Sequence, residues 1–561
     1  MLKGTDVTAS PSSGTGNAAW LAAAAGILAG ALVLRLWGIG HGLPFVYNAD
    51  ENAHFVPRAV GMFGHSYNPN YFINPPAYTY LLHVVFDLRF GGREGVGNAL
   101  ATDRTSVFET ARIVSALLGT AAVALLLWAG RRMLGGAAGL IAGALLAVAF
   151  LPVHYSHLAL NDAPTLAPVC LALLGVATIY RHGTWTGYAL AGIGLGLACA
   201  TKYTAGILVL TIAAAALTAP RRRITGLAAA GGLALLAFVV ANPYAVLDFD
   251  AFRDGLQQQS EASGDGGGKL GLSMDSGIVY YLSTATWGLG WLPALAALGG
   301  AIGLAATNRR LALILVPAPL VFLVFMGTQD RFFARWLLPV YPLLCLMAAW
   351  AAVAAAGWLS QRLRRPHAAR VAALLAVLLC VQGVVFSVHN DLVLARDDTR
   401  RLARDWMVEN VPIRSKVVVE PFVPAAWAAD AESVTEGTGN GFRWNKWPTT
   451  RAPDSAGGGV IRFEDYERFT RPGLLGAYAR GGFCWVVTGS TQYGRAFAEP
   501  REVPRAIEYY AALEREGELV YEVDPGADRG FSYDFSFNAY PLDVERMGPE
   551  VRIYRLRGGR C

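Results

Sequence analysis

Charge is what this 561-residue chain has least of: Asp, Glu, Lys and Arg make up 16% of it, where an ordinary soluble domain carries roughly 25%. That shortage excludes a disordered polyelectrolyte and a plain soluble enzyme. The net charge of +6 is too mild for a basic surface that grips nucleic acid, so no nucleic-acid partner is expected. The six cysteines (170, 199, 345, 380, 484 and 561) form no CxxC and no Cys/His metal spacing. This excludes a zinc site and a disulfide framework; only Cys484 and Cys561 lie in polar sequence, where they could pair. There is no Gly-rich phosphate loop and no DxD pair placed after a strand. The first apolar run lacks a small-residue cleavage site and reads as an uncleaved anchor. What is abundant is apolar: 54% hydrophobic residues and 63 glycines, which fits a chain of membrane helices, each needing ~20 apolar residues.

The composition changes along the chain. Residues 1–17 read as a flexible cytoplasmic tail, 18–389 as a membrane domain, and 390–561 as a soluble domain of ordinary size. The breaks holding Arg131-Arg132, Arg181-His182, Arg221 to Arg223, Arg309-Arg310 and Arg362 to Arg365 contain no acid, so they are expected in the cytoplasm. The breaks holding Asp162, Asp248, Asp250, Asp254, Glu261, Asp265, Asp275 and Asp330 are then expected outside. This alternation gives eleven spans: 18–38, 108–130, 136–154, 163–180, 187–201, 203–219, 224–241, 278–305, 311–328, 336–357 and 369–389. Residues 77–90 are apolar but too short, and they carry His83, Asp87 and Arg89. They read as an amphipathic helix on the outer surface, within one large outer loop over 39–107. The reading is therefore a polytopic α-helical protein of the plasma (inner) membrane, N-terminus inside and C-terminal domain outside.

Charges beside hydrocarbon are functional candidates, because burying them is costly. They gather on the outer side. Tyr47-Asn48-Ala49-Asp50-Glu51-Asn52-Ala53-His54 follows the first span, and Phe72-Ile73-Asn74-Pro75-Pro76-Ala77-Tyr78 comes later in the same loop. The second outer loop holds His154, His157 and Asp162. Lys202, the one lysine in the apolar region, sits at a helix junction, and Arg331 and Arg335 lie at the same depth. A lysine there could hold a phosphate as a point charge, or could simply snorkel to the interface. Asp50-Glu51 could be a solvated pair or a helix cap, and Asp162 before Pro164 could be an N-cap. Taken together, two carboxylate groups, three cations and several aromatics (Tyr47, Tyr71, Tyr78, Phe332 and Trp336) compose a site for an anionic, lipid-linked substrate. Carboxylates could deprotonate a hydroxyl or hold Mg or Mn, with Asp50 and Asp162 as the ligands. Cations could stabilise a phosphate leaving group.

These motifs, in this order and on one side, resemble the GT-C fold glycosyltransferases of the protein O-mannosyltransferase and aminoarabinose-transferase superfamily. The resemblance covers most of 18–350. It rests on Asp50-Glu51, Pro75-Pro76-Ala77-Tyr78, Asp162, Thr201-Lys202-Tyr203-Thr204 and the Arg335 to Pro342 run. It implies inverting transfer of a sugar from a polyprenyl-phosphate donor, outside the membrane, to a protein, glycan or lipid. By position, Asp50 would be the principal catalytic member of the acidic pair, poised at the acceptor nucleophile, with Glu51 its support and Asp162 the second carboxylate. Lys202 and Arg335, with Arg331, would hold the donor phosphate, and Tyr47, His54, Asn74, Tyr78 and His157 would line the substrate path. The family often has a basic residue before the Pro-Pro pair; Asn74 stands there. The other classes kept open are a flippase for a lipid-linked glycan and a non-catalytic scaffold that binds envelope glycan.

Residues 390–561 suggest a small α/β domain. The helix is expected over 399–408, a second over 509–516, and strands over 416–420, 483–488, 518–522 and 551–555. The segment 435–459 reads as a long loop with exposed Trp444 and Trp447.

Overall fold

A computed structural model describes residues 14–64, 66–264, 270, 276–363, 367–429, 441–449, 461, 465–526 and 541–558. Most of the expected tail, Cys561 and parts of the 435–459 loop lie outside the described residues. Residues 14–17, expected in the tail, already belong to the first helix, Gly14–Leu36.

Among the described residues, seven helices are long and apolar enough to cross a membrane: Gly16–Leu36, Arg104–Leu134, Arg223–Ala241, Gly277–Thr307, Arg309–Gly327, Ala334–Arg362 and Ala368–Asn410. A bent pair, Gly136–Val148 and Phe150–Ser156, makes an eighth. Three shorter apolar helices, Leu166–His182, Trp185–Thr201 and Tyr203–Leu217, fall on the remaining expected spans. The 55° bend has a local cause. Ala149 leaves the helix, and Pro152 has no N–H to offer the Val148 carbonyl. Ser387 Oγ takes that carbonyl at 2.9 Å, while Arg35 donates to the Leu146 and Ala147 carbonyls at 3.1 and 3.0 Å. The broken end is thereby satisfied from two other helices.

Small residues let helices approach backbone to backbone. A Cβ on Gly130 would sit 2.9 Å from Gly139 Cα, and one on Gly187 would sit 2.9 Å from Ile179 N. These positions lock Arg104–Leu134 to Gly136–Val148, and Leu166–His182 to Trp185–Thr201. Over them lies the loop after the first helix. Its Ala77–Phe90 helix buries Tyr78, Leu82 and Phe86 at i, i+4 spacing and leaves Leu81, Val84 and Leu88 exposed.

The C-terminal region is a five-stranded mixed sheet. Its strands are β1 Lys416–Val419, β2 Asn445–Lys446, β3 Trp485–Gly489, β4 Gly517–Val523 and β5 Val551–Leu556. The order is β2-β1-β3-β5-β4, with β1 parallel to β2 and β3, and β5 antiparallel to β3 and β4. Alternation sets two cores. Val417 and Val419 face the Thr399–Asn410 helix through Ala403 and Met407, and Val418 faces Leu475, Tyr509 and Leu513. Strand β2 falls inside the segment read as loop. Trp444, expected to be exposed, is fully buried beside Trp427, and Trp447 is half-buried against Tyr478 and Phe483.

Candidate active site

The acidic pair opens a short π-helical turn, Glu51–Phe55, that continues as Val56–Gly61. Neighbours on a helix point roughly 100° apart, so the two acids part company. Glu51 turns inward and is fully buried. Its oxygens accept from Arg112 Nε at 2.7 Å and Nη2 at 2.8 Å, and Oε1 also accepts from Ala159 N at 3.0 Å. Arg112 Nη1 donates to the Ile39 and His41 carbonyls. This bidentate pair bolts the first loop to the Arg104–Leu134 helix and to the second outer loop. Asp50 turns outward, with 39% of its side chain exposed.

Asp50 Oδ2 accepts from Arg335 Nη2 at 2.8 Å, and Oδ1 lies 3.7 Å from His54 Nε2. Arg335 stands on a 3-10 turn, Ala334–Val340, with its guanidinium over the Phe333 ring at 4.7 Å; Arg331 covers the same ring at 4.7 Å. The Nε of Arg335 lies 3.7 Å from Asp162 Oδ2. Asp162, buried, is also ion-paired with Lys202 Nζ. Lys202 projects from the break between Trp185–Thr201 and the Tyr203–Ile207 turn. Asn161 Nδ2 donates to the Thr201 carbonyl at 2.7 Å and holds the two segments together. Arg335 therefore bridges carboxylates from two different loops.

A second tier rings Asp50. His54 stacks on Tyr71 with centroids 4.9 Å apart, Arg58 lies 4.0 Å over the same ring, and Asn74 Nδ2 donates to the Tyr71 hydroxyl at 2.9 Å. Burial pushes Tyr71 up to about 12, so its phenol stays neutral. Burial also moves the His54 imidazole below the usual histidine range; Asp50 opposes that fall, and Arg58 and Arg335 add to it. His54 is thus a neutral hydrogen-bonding group at pH 7.

Of the expected residues, Asp50, Asp162, Lys202, Arg335, His54 and Asn74 converge here. Three expected lining residues do not reach it. Tyr47 is buried against the C-terminal domain, beneath the Arg400 guanidinium at 4.0 Å. Tyr78 is core, its hydroxyl donating to the Ala111 carbonyl at 2.9 Å and lying 2.7 Å from Ser115 Oγ. His157 is fully buried, with Nδ1 on the Val153 carbonyl and Nε2 on the Trp37 carbonyl, 3.5 Å from Asp391. Aromatic and imidazole groups near a site in sequence do not reveal which way they face. Two residues went unrecognised. Arg112 was signalled by a charge inside an apolar span, and Arg58 by its place one turn after His54.

The donor set does not fit the divalent ion considered for Asp50 and Asp162. Arg335 occupies the space between the two carboxylates, and Lys202 already neutralises Asp162. No group of three or more His, Cys, Asp or Glu side chains suited to a metal occurs among the described residues.

Residues 99–246 match the family model described as dolichyl-phosphate-mannose-protein mannosyltransferase. The matched stretch contains Asp162 and Lys202. Among solved structures, the chain is similar to the oligosaccharyltransferase of Archaeoglobus fulgidus in its apo form, with 14% identity, coverage of 90% of this chain and 73% of that one, and a TM-score of 0.54. It is also similar to ArnT of Cupriavidus metallidurans in the apo state, with 13% identity, coverage of 90% and 96%, and a TM-score of 0.51. A third similar structure is the Archaeoglobus fulgidus enzyme AglB in complex with an inhibitory peptide and a dolichol-phosphate, at 13% identity, coverage of 91% and 74%, and a TM-score of 0.53. No curated protein matches the chain in sequence. The fold is that of the GT-C glycosyltransferases, a polytopic membrane-helix domain with a C-terminal α/β sheet.

Proposed function

We propose that this GT-C protein transfers a sugar, with inversion, from a polyprenyl-phosphate donor to an acceptor at the outer surface of the inner membrane. The observation that carries the reading is the Arg335 bridge between Asp50 and Asp162, closed by Lys202. It brings four segments of distant sequence to one place, with opposed charges that a phosphate ester and a hydroxyl both need. The dolichol-phosphate bound by the similar AglB structure supports a lipid-phosphate donor.

The phosphate of the donor is held by Lys202 and Arg335, with Arg331 beside them. Asp50, half-exposed, takes the proton of an acceptor hydroxyl. The acceptor oxygen then bonds to the anomeric carbon as the bond from that carbon to the phosphate oxygen breaks. Negative charge grows on the leaving phosphate and is stabilised by the two cations already in place. Asp162, buried and charge-neutralised, orients Lys202 and Arg335. Asn74 and His54 line the approach to Asp50. Glu51 positions the turn through Arg112 and does not touch substrate. The acidic loops face outward and the arginine-rich breaks face the cytoplasm in this reading.

The test is transfer from undecaprenyl-phosphate mannose, and from the matching glucose and aminoarabinose donors, by purified full-length protein. Asp50→Asn is the paired control, with an expected loss of roughly 10²–10⁴-fold in kcat. Full activity in that variant overturns the role of Asp50. Failure to bind any lipid-phosphate sugar overturns the function.

A further inference from the structure

We infer that the C-terminal domain is part of the catalytic apparatus, because it fixes Asp50 through Phe45 and Tyr47, which are positioning residues. The inference rests on the reading of Asp50 as the catalytic base. Three consecutive residues just upstream of Asp50 are divided between two cores. Phe45 and Tyr47 are buried in the core formed by Ala403, Met407 and β1. Val46, between them, is buried in the membrane-domain core.

The grip is rigid. Arg400 lies 4.0 Å over the Tyr47 ring and is itself held by both oxygens of Asp398 at 2.8 and 2.7 Å. Arg404 lies 5.0 Å over Phe45 and donates to the Trp427 and Ala429 carbonyls. Val46 has φ +52°, a conformation that costs a β-branched residue free energy and persists only where its surroundings over-determine it. Asn48 passes the constraint on: its side chain accepts from Glu51 N at 3.0 Å and its carbonyl from Asn52 N at 3.0 Å. Asp50 lies within that capped turn. A displacement of Phe45 or Tyr47 therefore moves the carboxylate that faces Arg335.

The experiment uses full-length protein with two readouts: hydrogen exchange over residues 48–55, and kcat and KM with undecaprenyl-phosphate mannose. Tyr47→Ala is expected to raise exchange in 48–55 about tenfold and to lower kcat about 10²-fold at a nearly unchanged KM, the size of effect an ångström of misplacement produces. Tyr47→Phe keeps the ring beneath Arg400 and is expected to behave as the native protein. Val46→Gly takes the positive φ without strain, frees the segment and removes a buried side chain from the membrane-domain core, so kcat falls and thermal stability falls with the lost packing. Val418→Ala, on the opposite face of β1, is the control: it lowers stability and leaves exchange in 48–55 unchanged. The inference is overturned if Tyr47→Ala leaves exchange in 48–55 native, or if Val418→Ala raises it equally at matched stability. It is also overturned if Val46→Gly keeps native kcat while Asp50→Asn is inactive. Full activity of Asp50→Asn removes the catalytic reading alone, and the exchange data still decide the mechanical link.

Discussion

The cleft around Arg335 and the interior of the C-terminal sheet each hold two acids, and they treat them in opposite ways. In the cleft, Asp50 and Asp162 face Arg335 and Lys202. In the sheet domain, Glu420 accepts from Gly489 N at 3.0 Å and from the Tyr510 hydroxyl at 2.9 Å, and Glu467 lies 3.9 Å from Arg495. Burial pushes Glu420 up to about 8 and Glu467 up to about 7, with Arg495 opposing the rise at Glu467. Cations beside a carboxylate favour its charged form; burial disfavours that form, and the hydrogen bonds that Glu420 accepts oppose the burial only in part. The difference lies in the partners and not in the acids, so substitutions can test it directly.

The largest expected effect is the loss of roughly 10²–10⁴-fold in kcat for Asp50→Asn, measured with the donors above at unchanged thermal stability. Glu51→Gln should do the reverse. It leaves the Arg112 charge buried without its partner, at a cost of about 3–5 kcal/mol in stability, seen as a lower unfolding temperature and lower yield. If the Glu51 variant is stable but inactive, the division of labour within the pair is wrong. Lys202→Ala should lower kcat by roughly 10²–10³-fold, with Lys202→Arg recovering part of it; an unaffected kcat would move the phosphate elsewhere.

The smallest effect is a pH dependence in the sheet. The Glu420 carboxyl titrates near 4.5 when unfolded and near 8 when folded. Between those values the folded state keeps a proton that the unfolded state has released. Its stability contribution is present at low pH and is lost as pH rises through 8. The unfolding temperature of the full-length protein should therefore fall by a few degrees from pH 5 to pH 8.5, and Glu420→Gln should flatten that slope. A slope unchanged in the variant would show that Glu420 is already ionised in the fold, and the contrast between the two regions would collapse.

The membrane helices were legible because apolar length and arginine placement are written locally in the chain. Asp50, Asp162, Lys202 and Arg335 were legible for the same reason: charge at the edge of hydrocarbon is conspicuous. What stayed hidden was direction. Asp50 and Glu51 are neighbours, and only the turn they occupy decides that one meets Arg335 and the other Arg112. Tyr47, Tyr78 and His157 sit near the site in sequence, yet their faces are set by packing partners from other segments. In the sheet domain the four longer strands were visible as apolar runs. Strand β2 was not, because two residues carry no alternation, and the helices Gly473–Gly481 and Ser490–Ala498 were obscured by glycine and polar residues.

The Arg335–Asp50 contact joins residues 285 positions apart. At about 5–20 residues per second of synthesis, Asp50 leaves the ribosome roughly a quarter of a minute to a minute before Arg335 exists. Asp162 waits for the same partner. The cleft therefore closes late, after most of the membrane helices have been made. A chain that stalls or is truncated before the Ala334–Val340 turn carries the acids and the lysine but cannot close the bridge between them.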